Sequence, residues 1–202
     1  MLLLDSSDQY RSTNFQSEKV FLKDFIDNID LEHRNVRMSL YTYGSSAFSQ
    51  FTFDMYRTAG EMKQAVDFMW FATGDGKPES AIQFTVVDAF KDSNGDRECV
   101  PNILVVLTHL ELSDAELIRN ISQELDTRGI QCIFINMAGT SAQSNIQTLT
   151  KTSSAVLPVV DFASLETSAM NVFQMVLART FFKNAIIYRS IMFYILTCSE
   201  LL

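Results

Sequence analysis

The sequence predicts a doubly wound α/β domain, a mostly parallel sheet with helices on both faces. The runs "ILVVL" (103–107), "IQCIFIN" (130–136) and "AVLPVV" (155–160) lack polar alternation, as strands buried on both faces do. Helical patterns separate them: "SDAELIRNISQELDTRG" has Ser113 placed as an N-cap and Gly129 as a stop, and "SAQSNIQTLTKT" is a shorter version. With 202 residues, 47% of them apolar and 20% charged, and only seven Gly and three Pro, the chain has the material for one domain with a sizeable core.

The elements follow in order. "LLLD" (2–5) is the first strand, and Thr13 and Gln16 stand at capping-box spacing ahead of Val20, Phe21, Phe25 and Ile29 on one helical face. "NVRMSLYTY" (35–43) and "SAFSQFTFD" (46–54) alternate and are separated by Gly44-Ser45, a hairpin that sets one antiparallel strand near an edge. Pro78 suits a first helical position, with Ile82, Val86, Ala89 and Phe90 spaced for one buried face. The sum is about six strands and about six helices. A last helix runs through "FASLETSAMNVFQMVLARTFF" and closes a domain over 1–182, leaving 183–202 as an apolar C-terminal tail or extra helix. That tail either packs on the domain or recruits a partner.

Composition excludes several functions. A net charge of −8 without a Lys/Arg cluster argues against nucleic acid, and there is no GxGxxG or GxxxxGK[ST] for nucleotides. "IMFYILTC" (191–198) falls short of the about 20 residues of a membrane span and is flanked by Arg189 and Glu200. Cys99, Cys132 and Cys198 have no CxxC spacing; Cys132 reads as a small buried hydrophobe, and Cys99 and Cys198 are expected not to pair. His33 reads as solvated and "NGDR" (94–97) as a turn. No secretory signal opens the chain, and a first strand of three or four residues leaves its neighbours partly unpaired, so the chain is expected to be a fragment of a longer one.

In doubly wound sheets ligands sit beyond the carboxyl ends of the strands, where the strand order switches, and "DSSDQ" (5–9) falls there. A loop of the form Asp-x-Ser-x-Ser, joined by a Thr and a second Asp from two other strand ends, can supply the oxygens that Mg²⁺ demands. "LLLDSSDQ", "NFQSEKVFLKDFI", "VRMSLYTYGSSAFSQFTF", "AIQF", "VPNILVVLTH", "RGIQCIFINMAG" and "AVLPVVDFASL" occur in the order found in von Willebrand factor A domains, which the chain resembles over nearly its whole length. The last three segments are most similar to the A modules of type VI collagen alpha chains and their matrix relatives.

The resemblance implies a metal-dependent adhesion site, carried over with departures. Asp5 and Ser7 match its first Asp and first Ser; Gln9 stands for the second Ser, Gly76 for the Thr and His109 for the second Asp. An imidazole in place of a carboxylate removes both charge and a hard oxygen, so no Mg²⁺ cofactor is expected unless Asp75 or Glu79 compensates. Asp5 and Ser7 then hold a strand-to-helix turn. A Ser7–His109–Asp5 triad is a remote alternative, with no GxSxG. The implied function is a secreted, non-enzymatic interaction module of a collagen VI-like matrix chain, its partners matrix proteins or other A modules of that chain. The alternative is an adhesion domain that binds a divalent cation and an acidic partner residue. Asn120, in the "NIS" sequon, points outward on its helix if a glycan is attached.

Overall fold

The parallel crossovers resolve into one six-stranded sheet of order β3-β2-β1-β4-β5-β6. β1 (Leu2–Asp5), β2 (Leu40–Tyr43), β4 (Asn102–Thr108), β5 (Ile130–Asn136) and β6 (Val156–Pro158) run parallel, and β3 (Ala47–Phe51) pairs antiparallel with β2 at the edge. The computed structural model describes residues 1–8, 12–29, 36–71, 73–98, 100–137 and 143–179. Cys99, Cys198, His33 and Gln9 lie outside the described residues, as does the 183–202 tail.

Side chains alternate along the central strands and so build two cores. Leu2, Leu4, Val105, Leu107, Ile133 and Ile135 face one side, under α1 (Ser12–Asn28), α2 (Ala59–Phe68), α6 (Phe162–Glu166) and a seventh helix, α7, over 169–179. Leu3, Leu104, Val106 and Phe134 face the other, under α3 (Pro78–Asp88), α4 (Ala115–Arg128) and α5 (Gln143–Thr150). Cys132 belongs to this second core, and burial pushes its thiol pKa up, away from reactivity.

Pro78 opens α3, and Gly129 ends α4 with φ at 64°, a left-handed conformation that favours glycine. Several expectations need correction. The cap of α4 is Asp114, whose carboxylate accepts from the Leu117 amide at 2.9 Å, rather than Ser113. Thr13 lies inside α1, so it is not an N-cap, and Val20 is 44% exposed while Phe21, Phe25 and Ile29 are buried. The expected last helix is broken: α6 ends at Glu166 and α7 starts at 169, with Thr167 and Ser168 turning between them. α2 was not anticipated at all; a capping box between Thr58 and Glu61 starts it, and Met62 and Val66 are its buried face.

β1 is short against its neighbours. It pairs with only Val105–Leu107 of the seven-residue β4, and the Met1 amino group reaches Ile103 O at 3.0 Å. Asn102 and Ile103 therefore extend past the paired part of β1, at the opposite pole from the candidate site.

Candidate functional site

The strand order switches between β1 and β4, and the carboxyl ends of β1, β2 and β4 converge there with the loop that precedes α3. Three of the sequence-predicted residues meet at this point. Asp5 ends β1 and is fully buried; Ser7 follows it and is buried as well; His109 follows β4. Gly76 completes the group: a Cβ built on it would lie 3.1 Å from both Cβ and Oγ of Ser7.

The Asp5 carboxylate is occupied by donors from the protein. Oδ1 accepts the Ser7 backbone N–H at 3.0 Å. Oδ2 accepts the Tyr43 hydroxyl at 2.9 Å and has His109 Nδ1 at 2.8 Å. Two bare lone pairs would repel at that distance, so Nδ1 faces the carboxylate as a protonated nitrogen in close electrostatic contact, without the alignment of a hydrogen bond. Thr108 Oγ1 stands 2.8 Å from the Tyr43 hydroxyl and accepts the Leu110 amide at 3.0 Å, which ties the end of β4 into the same network.

The loops around it are fixed by backbone bonds. Ser6 N and its hydroxyl both donate to Tyr43 O, at 2.7 and 3.1 Å, and Asp8 N donates to Gly74 O at 3.1 Å. Gly44 is required where it stands, because a Cβ there would fall 2.3 Å from Thr73 O. The chain that carries Gly76 is thereby pressed onto the β1–α1 turn.

A hard dication fits this donor set poorly. It needs about six oxygens and commonly one or two carboxylates. Asp5 already gives both oxygens to N–H and O–H groups. Glu79, one of the two side chains expected to compensate, is 8% exposed, with Oε1 taking the backbone N–H of Ser113 and, at 3.1 Å, that of Asp114. It therefore holds the start of α4. Asp75 is exposed, and the described residues hold no group of three or more His, Cys, Asp or Glu arranged for a metal. The space a residue-76 side chain would take is filled by Leu110, whose Cδ1 lies 2.2 Å from a Cβ built there. One atom points the other way: Ser7 Oγ is buried with no hydrogen-bond partner among the described residues.

The same atom argues against the triad. Asp5 and His109 are in contact, but Ser7 Oγ makes no bond to a base, and the nucleophile–base link that acyl transfer needs is missing. Asn120 is exposed on α4, accessible to modification.

Tyr43, Thr108, Leu110 and Glu18 were missed by sequence reasoning. Glu18 is fully buried on α1, and its charge, after burial and Asp5, contributes to raising the Tyr43 pKa well above the usual tyrosine value. Its signal was legible in principle, since Glu18 falls on the apolar stripe of Phe15, Leu22 and Phe25. Tyr41, two residues before Tyr43 on the same face of β2, is pushed up to about 12 by burial and its 2.9 Å bond to Asp88.

A raised phenol pKa has a defined consequence for stability. The unfolded chain loses its tyrosine protons from about pH 10, while the folded chain keeps them. The contribution is fully present below that value and lost as pH rises toward the folded pKa. Thermal melts from pH 8 to 11 should fall steadily above pH 10, and Tyr43→Phe should flatten the fall while costing about 1–2 kcal/mol at pH 7 through the lost bond to Asp5. An unchanged alkaline slope would show that Tyr43 is not the group responsible.

The comparisons with known proteins agree with the fold. The von Willebrand factor type A domain family matches residues 1–171. Matrilin-3 of Gallus gallus is 24% identical over 147 residues, 71% of this chain and 32% of that protein, and von Willebrand factor of Rattus norvegicus is 24% identical over 160 residues, 79% and 35%. The chain thus spans about a third of the length of these curated relatives. Among solved structures, proximal thread matrix protein 1 from the mussel byssus, with a zinc-occupied MIDAS motif, superposes with a TM-score of 0.75 at 16% identity, over 85% of this chain and 46% of that one. With a family match over most of its length and the fold to go with it, the chain belongs to the von Willebrand factor type A domain family.

Proposed function

We propose that this domain is a non-enzymatic protein-interaction module of a secreted, extracellular matrix chain of the collagen VI kind, and that its contacts form without a divalent cation. The observation that carries the reading is the occupation of Asp5 by Ser7 N–H, Tyr43 O–H and His109 Nδ1. Oδ2, faced by both the Tyr43 hydroxyl and His109 Nδ1, has no room left for a cation, and Oδ1 already takes the Ser7 N–H. The partners are matrix proteins or other A modules of the same chain, and the domain extends over 1–182. The sequence similarity to matrilins and von Willebrand factor supports the module type, and the exposure of Asn120 suits a glycan in a secreted protein.

The test is thermal unfolding with EDTA and with millimolar Mg²⁺ or Mn²⁺. A ligand stabilises the native state by RT ln(1 + [L]/K_d), so binding at micromolar affinity would add about 4 kcal/mol at millimolar ion. No shift in Tm is expected. A clear rise would favour the second reading, a metal-dependent adhesion domain for an acidic partner residue, for which the orphaned Ser7 Oγ speaks.

A further inference from the structure

The sequon "NIS" (120–122) lies well inside the 14-residue α4, and its two functional side chains part company there. Asn120 is exposed, whereas Ser122 is 6% exposed and shares the buried face with Ile118, Ile121 and Leu125. At 3.6 residues per turn, side chains two apart point about 200° from one another around the helix. The Ser122 hydroxyl donates to Thr148 O of α5 at 3.1 Å and accepts from Lys151 Nζ, which pairs with Asp126 at 3.1 Å.

We propose that Asn120 accepts a glycan only before the domain folds, and that docking of α4 on α5 closes the acceptor. This rests on the secreted reading, which brings the chain to the transferase. Transfer breaks the bond from the anomeric carbon to the pyrophosphate of a lipid-linked oligosaccharide and forms one from that carbon to Asn120 Nδ2; the amide gives up a proton and the lipid pyrophosphate leaves. An amide nitrogen is a poor nucleophile because its lone pair is delocalised, so the enzyme must hold the sequon, and the hydroxyl two residues on marks it. Extended chain offers amide and hydroxyl together. On α4 the amide faces solvent and the hydroxyl faces α5, so no enzyme reaches both. Fraying does not help, because freeing Ser122 also pulls Ile118, Ile121 and Leu125, each 1% exposed, out of the core. Synthesis leaves an interval for transfer: Thr148 follows Ser122 by 26 residues, which take about 1–5 s at about 5–20 residues per second. A glycan attached in that interval has room afterwards, since Asn120 ends on the exposed face.

Cell-free synthesis of the full chain with solubilised oligosaccharyl transferase and lipid-linked oligosaccharide tests this, with the mass of the Asn120 peptide as readout. Enzyme present during synthesis should modify the wild type at least tenfold more than enzyme added after folding is complete. Leu104→Asp, which buries a charge in β4 and keeps the domain from folding, should be modified equally in both arms. Equal modification of the wild type in both arms overturns the proposal. So does a Leu104→Asp chain that late enzyme leaves unmodified, which would mean that something other than folding closes the site, and so does a wild type modified in neither arm, which would mean that "NIS" is no acceptor. None of these results touches the cation-independent reading, which the ion dependence of Tm decides.

Discussion

Asp5→Ala is expected to lower the stability of the domain by about 3–5 kcal/mol in the presence of EDTA, the cost typical of removing one partner from a buried polar pair. The side chain is fully buried, and its loss leaves the Ser7 amide without its acceptor, takes one of two acceptors from the Tyr43 hydroxyl and removes the carboxylate that faces His109. In a domain of this size each kcal/mol corresponds to about 2–4 °C, so Tm should fall by about 6–20 °C. A site built for a cation behaves in the opposite way. Without its metal, its carboxylates repel one another, and removing one is neutral or stabilising. The measurement therefore separates the two readings of Asp5 with no partner in hand. Asp75→Ala, at an exposed neighbour, should stay within about 0.5 kcal/mol and serves as the control. If Asp5→Ala matches that control in EDTA, the carboxylate is not a structural anchor and the cation-independent reading loses its support.

The fold was legible in the sequence because strands buried on both faces leave no room for polar alternation, and β1, β4 and β5 declare themselves by that property alone. Helix ends were less legible. Ser113 and Asp114 are both good caps on paper; Glu79 from α3 takes the backbone amides of both, and it is the Asp114 side chain that stands where it accepts the Leu117 amide. α2 escaped notice because only Met62 and Val66 are buried on it, too few for a periodic signal, while Thr58 and Glu61 mark its start plainly. The break between α6 and α7 has no Gly or Pro. It depends instead on Thr167 and Ser168, whose hydroxyls donate to Ser164 O at 3.1 Å and Leu165 O at 2.7 Å and so compete with continued helix.

The candidate site divides in the same way. Asp5, Ser7, Gly76 and His109 could be placed by motif spacing, and the structure brings them together. Tyr43 and Leu110 could not, since their relevance exists only once the sheet sets β2 beside β1 and the loop after β4 folds over the turn. Motif comparison reports which ligands are missing; packing reports what has taken their place.

That difference changes the design that would restore a metal site. His109→Asp, Gly76→Thr and Gln9→Ser return the oxygen ligands that the family pattern requires, but a Cβ at position 76 would lie 2.2 Å from Leu110 Cδ1, so the triple variant meets an obstruction that no motif reveals. Gly76 is not one of the positive-φ glycines, so its backbone accepts a threonine, and the obstruction is the end of a flexible side chain. Adding Leu110→Ala should clear it. The quadruple variant is expected to be less stable than the wild type in EDTA, because Asp5 then faces a second carboxylate instead of an N–H donor. It should regain about 4 kcal/mol in millimolar Mg²⁺ if the restored site binds with micromolar affinity, a rise in Tm of about 8–16 °C. The triple variant should recover less, by the cost of moving Leu110. Titration by thermal unfolding in EDTA, Mg²⁺ and Mn²⁺ reads all three. A quadruple variant that unfolds cooperatively, yet at the same temperature with and without the ions, would mean that these positions do not converge as a cation's ligands and that the matching of Gly76 and His109 to the family's Thr and Asp is wrong.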